Sequence, residues 1–170
     1  MTDPRYLSRA GKIREGARIL GPPEDFIVAL TVHEKELGEH VDLFVKGFCQ
    51  TLFNEIHSGG RYSPGTPQDT GFARANWYGG IGGTGVAPAV QEPATRVPGM
   101  LSGEAQAALV QLDETALSAK AGDEVAMANN AHYIVDLENG TSLQAPEGMT
   151  RLAVAAGQLI ADEVAAHVMR

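Results

Sequence analysis

The chain has 170 residues, of which 44% are hydrophobic and 20% are charged, and its formal net charge is -8. This composition is typical of one globular domain, and so acidic a chain argues against DNA wrapping or base readout, which need a positive surface. No apolar run reaches the roughly 18 residues of a membrane span, and we expect no signal peptide. The single cysteine, Cys49, excludes an internal disulfide framework and suits a reducing compartment.

The N-terminal residues 1–24 are predicted to form a basic arm. Residues 1–20 carry five basic and two acidic side chains, a local charge of +3, which leaves -11 on the remaining residues. The run Gly21-Pro22-Pro23 is predicted to close the arm as a stiff hinge. The arm could form a polar helix that orders only in an assembly, or it could be a solvated tail. Residues 25–170 are predicted to form a single domain.

The most regular helical pattern covers residues 34–57. Apolar side chains recur there at three- and four-residue steps from Leu37 to Ile56, and acidic side chains occupy the first half, where they favour the helix dipole. Residues 26–32 could be a strand or the beginning of this helix. The run Ser58-Gly59-Gly60 is predicted to end it.

The rest of the chain predicts an α+β fold, in which a small antiparallel or mixed sheet is flanked by two long helices. Ala73, Ala75 and Trp77 alternate as the core face of one strand. An Asn129-Asn130 corner follows the other strand, and Pro146 is predicted to start the last helix. The predicted segments are loop 58–71, strand 72–78, loop 79–99, helix 103–118, strand 124–128, a short helix around 133–138 and helix 147–169.

Three short motifs could carry chemistry, and each has a structural explanation that we favour. Gly80–Gly85 has the spacing of a dinucleotide loop, but Val86-Ala87-Pro88 follows where a helix would be needed, so a flexible loop is expected. Asp69-Thr70-Gly71 matches the triplet of aspartic proteases, which need two such carboxylates, so a turn is expected. His33-Glu34 begins a zincin motif whose second histidine is absent, so no metal site is expected.

Residues 67–77 read PQDTGFARANW, and residues 129–149 read NNAHYIVDLENGTSLQAPEGM. In order and spacing these stretches resemble the tail-completion or neck proteins of tailed phages, a family that includes minor tail protein Z. The resemblance covers roughly residues 26–168. The residues that match the family pattern are Thr66, Pro67, Asp69, Thr70, Gly71, Arg74, Trp77, Asn129, Asn130, Tyr133, Leu137, Glu138, Gly140, Gln144, Ala145, Pro146, Gly148 and Met149.

The resemblance implies a structural virion protein without a catalytic site, a cofactor or a bound metal. Similar proteins form a ring, usually hexameric, at the head-proximal end of the tail or in the neck. Their partners are the head-closure or stopper protein and the tail tube or tail terminator protein. Double-stranded DNA passes through the ring without sequence-specific binding, and no membrane is involved. The protein would be made in the cytoplasm of a bacterial host, and loop 79–99 and the arm would contact adjacent rings.

Two alternatives stay open at the level of the sequence. The first is a homodimeric aspartic-type hydrolase that uses Asp69 from each subunit. The second is a tail-assembly factor that is absent from the finished particle. Within the resemblance, Arg74 is expected to form a salt bridge with an acidic residue such as Glu138, either within one chain or between subunits. Trp77 is expected to anchor the core.

Overall fold

The structure is a computed structural model that describes residues 23–83 and 89–168. The chain divides into two compact units, Met1–Glu39 and His40–Arg170. The predicted arm lies almost entirely outside the described residues, so the boundary at residue 24 stays a prediction. The elements in chain order are helix α1 (Pro23–His57), helix α2 (Phe72–Ala75), strand β1 (Trp77–Ile81), helix α3 (Ser102–Ser118), strand β2 (Val125–Asn129), helix α4 (Ile134–Glu138), helix α5 (Thr150–Ala155) and helix α6 (Gly157–Val168).

The predicted α+β class is confirmed. Strands β1 and β2 form a two-stranded antiparallel sheet in which Trp77 faces Asn129 and Ile81 faces Val125. None of the described helices is both long and apolar enough to cross a membrane.

Helix α1 is longer than the pattern predicted, because residues 26–32 belong to it and Pro23 is its first residue. A proline suits that position, since the first N–H groups of a helix have no partner within it. The apolar stripe of α1 is buried only near its C-terminal end, where Phe53 and Ile56 are each 4% exposed. The helix ends at His57 as predicted, and Gly59 then adopts a positive φ of 83°.

The predicted strand over residues 72–78 is wrong over residues 72–76, which form one helical turn. Strand β1 instead continues to Ile81, so the predicted loop 79–99 is wrong in its first three residues. Gly71 takes a φ of 91°, and its carbonyl accepts a hydrogen bond of 2.9 Å from the N–H of Ala75. The Asn76 side chain then donates to the carbonyl of Phe72 at 2.8 Å and closes the turn. Phe72 and Asn76 are therefore buried with Trp77, although strict alternation would have placed them on the opposite face.

The last helix also differs from its prediction. It begins at Thr150 and not after Pro146, and it is divided into α5 and α6 at Ala156. Pro146 lies instead in a turn, in which the N–H of Gly148 donates to the carbonyl of Ala145 at 3.1 Å. A proline fits such a turn as well as it fits a helix start, so the sequence signal was ambiguous.

Two buried clusters form the core of the second unit. The larger one combines apolar side chains from α1, β1, α3 and α5 and includes the fully buried Leu112 and Met149. The smaller one packs Phe72 against residues at the beginning of α3 and against Ala131. The larger cluster includes two residues of the family pattern, Trp77 and Met149.

Candidate functional site

The three matched motifs lie side by side in the fold. The N–H of Asn130 donates to the carbonyl of Asn76 at 3.1 Å, and the Asn129 amide donates to the carbonyl of Ala73 at 2.8 Å. The Asn129 side chain also accepts a hydrogen bond of 2.8 Å from the N–H of Ala131. The predicted corner at Asn129-Asn130 is thus made by side-chain hydrogen bonds and not by a left-handed backbone, because no described residue other than glycine has a positive φ.

A pair of glutamines joins the first motif to the third. The N–H of Gln68 donates to the side-chain oxygen of Gln144 at 2.9 Å, and the Gln144 amide nitrogen donates back to the carbonyl of Gln68 at 3.1 Å. The Gln144 side chain therefore pairs with the Gln68 backbone as a neighbouring strand would. This contact holds residues 76 positions apart in the sequence.

Glu138 joins the second motif to the third by capping α5. Its carboxylate accepts hydrogen bonds from the N–H groups of Met149 at 3.1 Å, Thr150 at 2.9 Å and Arg151 at 2.8 Å. Partial burial on its own would raise the pKa of Glu138, but these N–H donors outweigh it and the pKa lies below its usual value. An acid at a helix N-terminus is also favoured by the helix dipole.

Arg74 does not form the predicted salt bridge with Glu138. Its Nε donates to the carbonyl of Thr66 at 2.7 Å, and its Nη1 donates to the side chain of Gln68 at 3.3 Å. Within one chain the pair does not form, because the Glu138 carboxylate accepts N–H groups at the start of α5 and the loop before α2 offers carbonyl oxygens to Arg74. A pair between subunits stays a prediction.

Trp77 anchors the core as predicted, and it also makes a polar contact that the sequence did not indicate. Its indole Nε1 donates to the hydroxyl of Thr66 at 2.7 Å, and that hydroxyl donates to the carbonyl of Ile56 at 2.8 Å. Thr66 is fully buried, so this chain of hydrogen bonds satisfies the polar groups at the C-terminal end of α1.

Two glycines of the motifs are required by close approach. Gly140 has a φ of 84°, and a side chain there would collide with the carbonyl oxygen of Pro146. Gly148 has a φ of 80°, and its Cβ would lie 2.5 Å from the carbonyl oxygen of Glu138. Only glycine adopts these angles without strain, so both positions hold the α4–α5 corner closed.

A cavity of about 220 Å³ opens among the motifs. Its wall combines charged, amide and aromatic groups from the first and third motifs, from α4 and from the segment before α3: Asp69, Phe72, Glu92, Arg96, Tyr133 and Gln144. Glu92 accepts from Arg96 at 3.3 Å and lies 3.8 Å from His132, so its carboxylate already has a cationic partner in Arg96. Burial, followed by the charge of Glu92, raises the pKa of Tyr133.

Asp69 is exposed at this cavity, and its carboxylate has no hydrogen bond or ion pair with the described residues. The predicted turn at Asp69-Thr70-Gly71 is present, but Thr70 stabilises it, because its hydroxyl accepts the N–H of Phe72 at 3.2 Å. The carbonyls of Asp69 and Thr70 accept from the N–H groups of Gly99 and Leu101, each at 2.7 Å, and this fastens the segment before α3. The site thus offers recognition by charge and shape, with one carboxylate, that of Asp69, that has no partner within residues 23–83 and 89–168.

The remaining predicted motifs contribute no described residue to the wall of this cavity. Gly82 and Gly83 follow β1 with φ values of 77° and 127°, and the next described helix is α3. His33 lies 4.0 Å from Glu36 on α1. Within residues 23–83 and 89–168, no group of three or more histidine, cysteine or acidic side chains could hold a metal ion.

The sequence did not indicate the role of Glu55. The residue is 7% exposed, and its carboxylate accepts the N–H groups of Arg61, Tyr62 and Ser63, each at 2.9 Å. A signal was present, since a loop rich in glycine and proline leaves N–H groups unpaired and an acid in the last turn of α1 can reach them.

Gln111, in the middle of α3, binds the backbone of β1 through Gly79, at 2.9 Å in each direction. Nothing in the local sequence marks this contact.

Comparisons of the chain with protein-family models, with curated proteins and with solved structures give no match.

Proposed function

We propose that this chain is a structural virion protein of a tailed phage. In this proposal it forms a ring, of about six copies, at the head-proximal end of the tail, where it completes the tail and joins it to the head. The lumen passes double-stranded DNA, and the acidic body of the chain reduces sticking to DNA because like charges repel.

The observation that carries the proposal is that hydrogen bonds join the three motifs to one another. The Gln144 side chain hydrogen-bonds to the backbone of Gln68, and the Asn129 amide donates to the carbonyl of Ala73. Glu138 caps α5. The residues that carry the resemblance therefore support one another in a single corner of the fold. Chance matches of single residues would not be expected to meet in this way.

The first test is native mass by light scattering, with negative-stain imaging of the same sample. Rings of about six subunits are the expected result. A strict dimer would contradict the ring and favour the hydrolase alternative. If the protein is monomeric in solution, mass spectrometry of purified particles decides, because a chain that is absent from virions would be an assembly factor.

The hydrolase alternative has its own test at Asp69. Asp69→Asn keeps the size of the side chain and removes the charge that a shared-proton dyad needs. If a phage that carries this variant forms joined particles at the normal yield, the hydrolase alternative is excluded, because the dyad needs the Asp69 carboxylate.

A further inference from the structure

The two edges of the sheet are treated differently by the rest of the fold. In an antiparallel pair, residues alternate between those that bond to the partner strand and those whose backbone groups point outward. The N–H of Gly82 donates to the carbonyl of Glu124 at 2.8 Å, and with the observed register this fixes the alternation. The backbone groups that point outward belong to Trp77, Gly79 and Ile81 on β1 and to Val125, Met127 and Asn129 on β2.

The outer edge of β1 is closed by α3. The Gln111 side chain accepts the N–H of Gly79 and donates to its carbonyl, each at 2.9 Å, so it stands in for a third strand. Thr115 lies directly over Gly79, because a Cβ on that glycine would lie 2.9 Å from the threonine hydroxyl. No further strand can add at this point.

The outer edge of β2 is open. Among the described residues, no backbone or side-chain group hydrogen-bonds to the outward N–H and C=O groups of Val125 and Met127. An unpaired row of this kind is a template for an additional strand. A protein that must stay monomeric protects such an edge, whereas one that assembles can use it.

The charge around this edge selects a basic partner segment. Asp123 and Glu124 are exposed at the beginning of β2, and Asp42 is held next to them because its carboxylate accepts the N–H of Ala121 at 2.8 Å. The basic part of this chain is residues 1–20, with a local charge of +3. Within it, Lys12 and Arg14 flank Ile13, an alternation that suits a strand with both cations on one side.

We propose that residues 1–20 of one copy add as a third strand to the open edge of β2 in the next copy. A strand in this segment obtains its backbone hydrogen bonds from the neighbouring copy. The inference rests on the proposed ring. It gives each copy two different contact surfaces, and a head-to-tail contact of this kind is what closes a ring.

Disulfide cross-linking between two single-cysteine variants tests the exchange. Both variants carry Cys49→Ala. The first also carries Ser8→Cys, Ile13→Cys or Arg18→Cys, one at a time, and the second carries Glu124→Cys at the open edge. Because each chain has one cysteine, any bond between the unlike variants joins two copies. The matched control is Glu114→Cys, an exposed position on α3 beside the closed edge.

The expected result is a mixed cross-link with Glu124→Cys that clearly exceeds the cross-link with Glu114→Cys. Rings without such a cross-link at any arm position would overturn the exchange and leave the proposed function standing. If the rings do cross-link but a phage that lacks this chain still joins its heads to its tails, the exchange stands and the proposed function is contradicted. A single chain that carries both the arm cysteine and Glu124→Cys gives a further check. If its disulfide forms only within that chain, the exchange is overturned, because the arm then lies on the β2 edge of its own copy.

Amide hydrogen exchange gives a second readout that needs no substitution. On passing from monomer to ring, the N–H of Met127 is expected to exchange at least about tenfold more slowly, since a hydrogen bond of about 1.4 kcal/mol protects it. The N–H of Gly79 serves as the internal control, because Gln111 already holds it in one chain. Equal slowing at both amides, or none at Met127, would contradict strand addition at β2.

Discussion

Glu138 ties α4 to α5 through hydrogen bonds from three successive backbone N–H groups. We expect Glu138→Ala to lower the free energy of unfolding by about 2 kcal/mol, because these N–H groups lose their acceptor. Glu138→Gln should cost about half as much, since its amide oxygen still accepts. Urea unfolding at pH 7 measures both. The control is Glu147→Ala, an exposed change expected to stay within about 0.5 kcal/mol.

The same carboxylate gives the protein a pH dependence of known sign. The pKa of Glu138 is lower in the fold than its ordinary value of 4.5. Its contribution is therefore complete above pH 4.5 and is lost as the pH falls through the lower pKa of the folded state. Glu138→Gln should lose less stability than the original chain below pH 4.5. Parallel acid curves for the two proteins would contradict the assigned cap.

His57 gives a second pH dependence at higher pH. The residue is 3% exposed, and its Nδ1 lies 2.9 Å from the Ser58 hydroxyl. Its buried Nε2 has no hydrogen-bond partner among the described residues. Burial, and then the charge of Arg74, lowers the pKa of His57 from 6.5 to about 4. Unfolding therefore takes up a proton between these values, so stability is greatest above pH 6.5 and falls as the pH approaches 4.

We expect the original chain to lose about 2 kcal/mol of unfolding free energy between pH 7 and pH 5 because of this residue. Urea unfolding at pH 7, 6 and 5 measures the loss. His57→Gln has no group that titrates in this range, so its stability should change much less. If the variant and the original chain lose stability equally, protonation of His57 is not the cause of the loss.

At the scale of elements, the corner between α4 and α5 depends on glycine. Gly148→Ala would place a Cβ against the carbonyl of Glu138 and force a positive φ on alanine. We expect a loss of about 2 kcal/mol, which lowers the melting temperature by about 6 °C in a chain of this size. Gly157→Ala at the beginning of α6 is the matched control, because no atom lies within 4 Å of the new methyl group. Its melting temperature should stay close to that of the original chain.

The elements also differ in how far the sequence could predict them. Helices α1 and α3 were predictable, because their apolar periodicity is local and extends over many turns. The turn at Phe72–Ala75 was not, since it depends on Gly71 and on the side chain of Asn76. The start of α5 was missed for a related reason. Its cap, Glu138, lies twelve residues before Thr150, beyond the reach of any local capping pattern.

The candidate site was predictable as a set of residues but not as a set of contacts. The motifs identified Gln144, Asn129 and Glu138, whereas their partners were known only from the fold. Arg74 illustrates the limit, because charge alone favoured Glu138 and the structure pairs Arg74 with the loop carbonyl of Thr66. Pairing between distant segments depends on which backbone groups stay unpaired after the elements form, and a sequence without its fold does not give that.

For the whole molecule, the important features are the open edge of β2 and the separation of charge between residues 1–20 and the rest of the chain. If ring closure joins a basic segment to an acidic edge, salt should weaken it. Between 50 mM and 500 mM NaCl the screening length falls from about 14 Å to about 4 Å, so exposed charges lose most of their attraction. We expect the dissociation constant of the assembly to rise at least about tenfold over this range, as measured by analytical ultracentrifugation.

The salt effect should depend on the edge itself. A variant with Asp42→Asn and Glu124→Gln keeps the oxygen that accepts the N–H of Ala121 but removes two charges near β2. Its rings should be weaker at 50 mM NaCl and should respond less to added salt, because fewer charge pairs remain to be screened. Rings of the original chain that are indifferent to salt would place the subunit contact on apolar surfaces such as the exposed Val154 and Leu159. Equal salt responses in the two proteins would mean that charges elsewhere on the chain govern assembly.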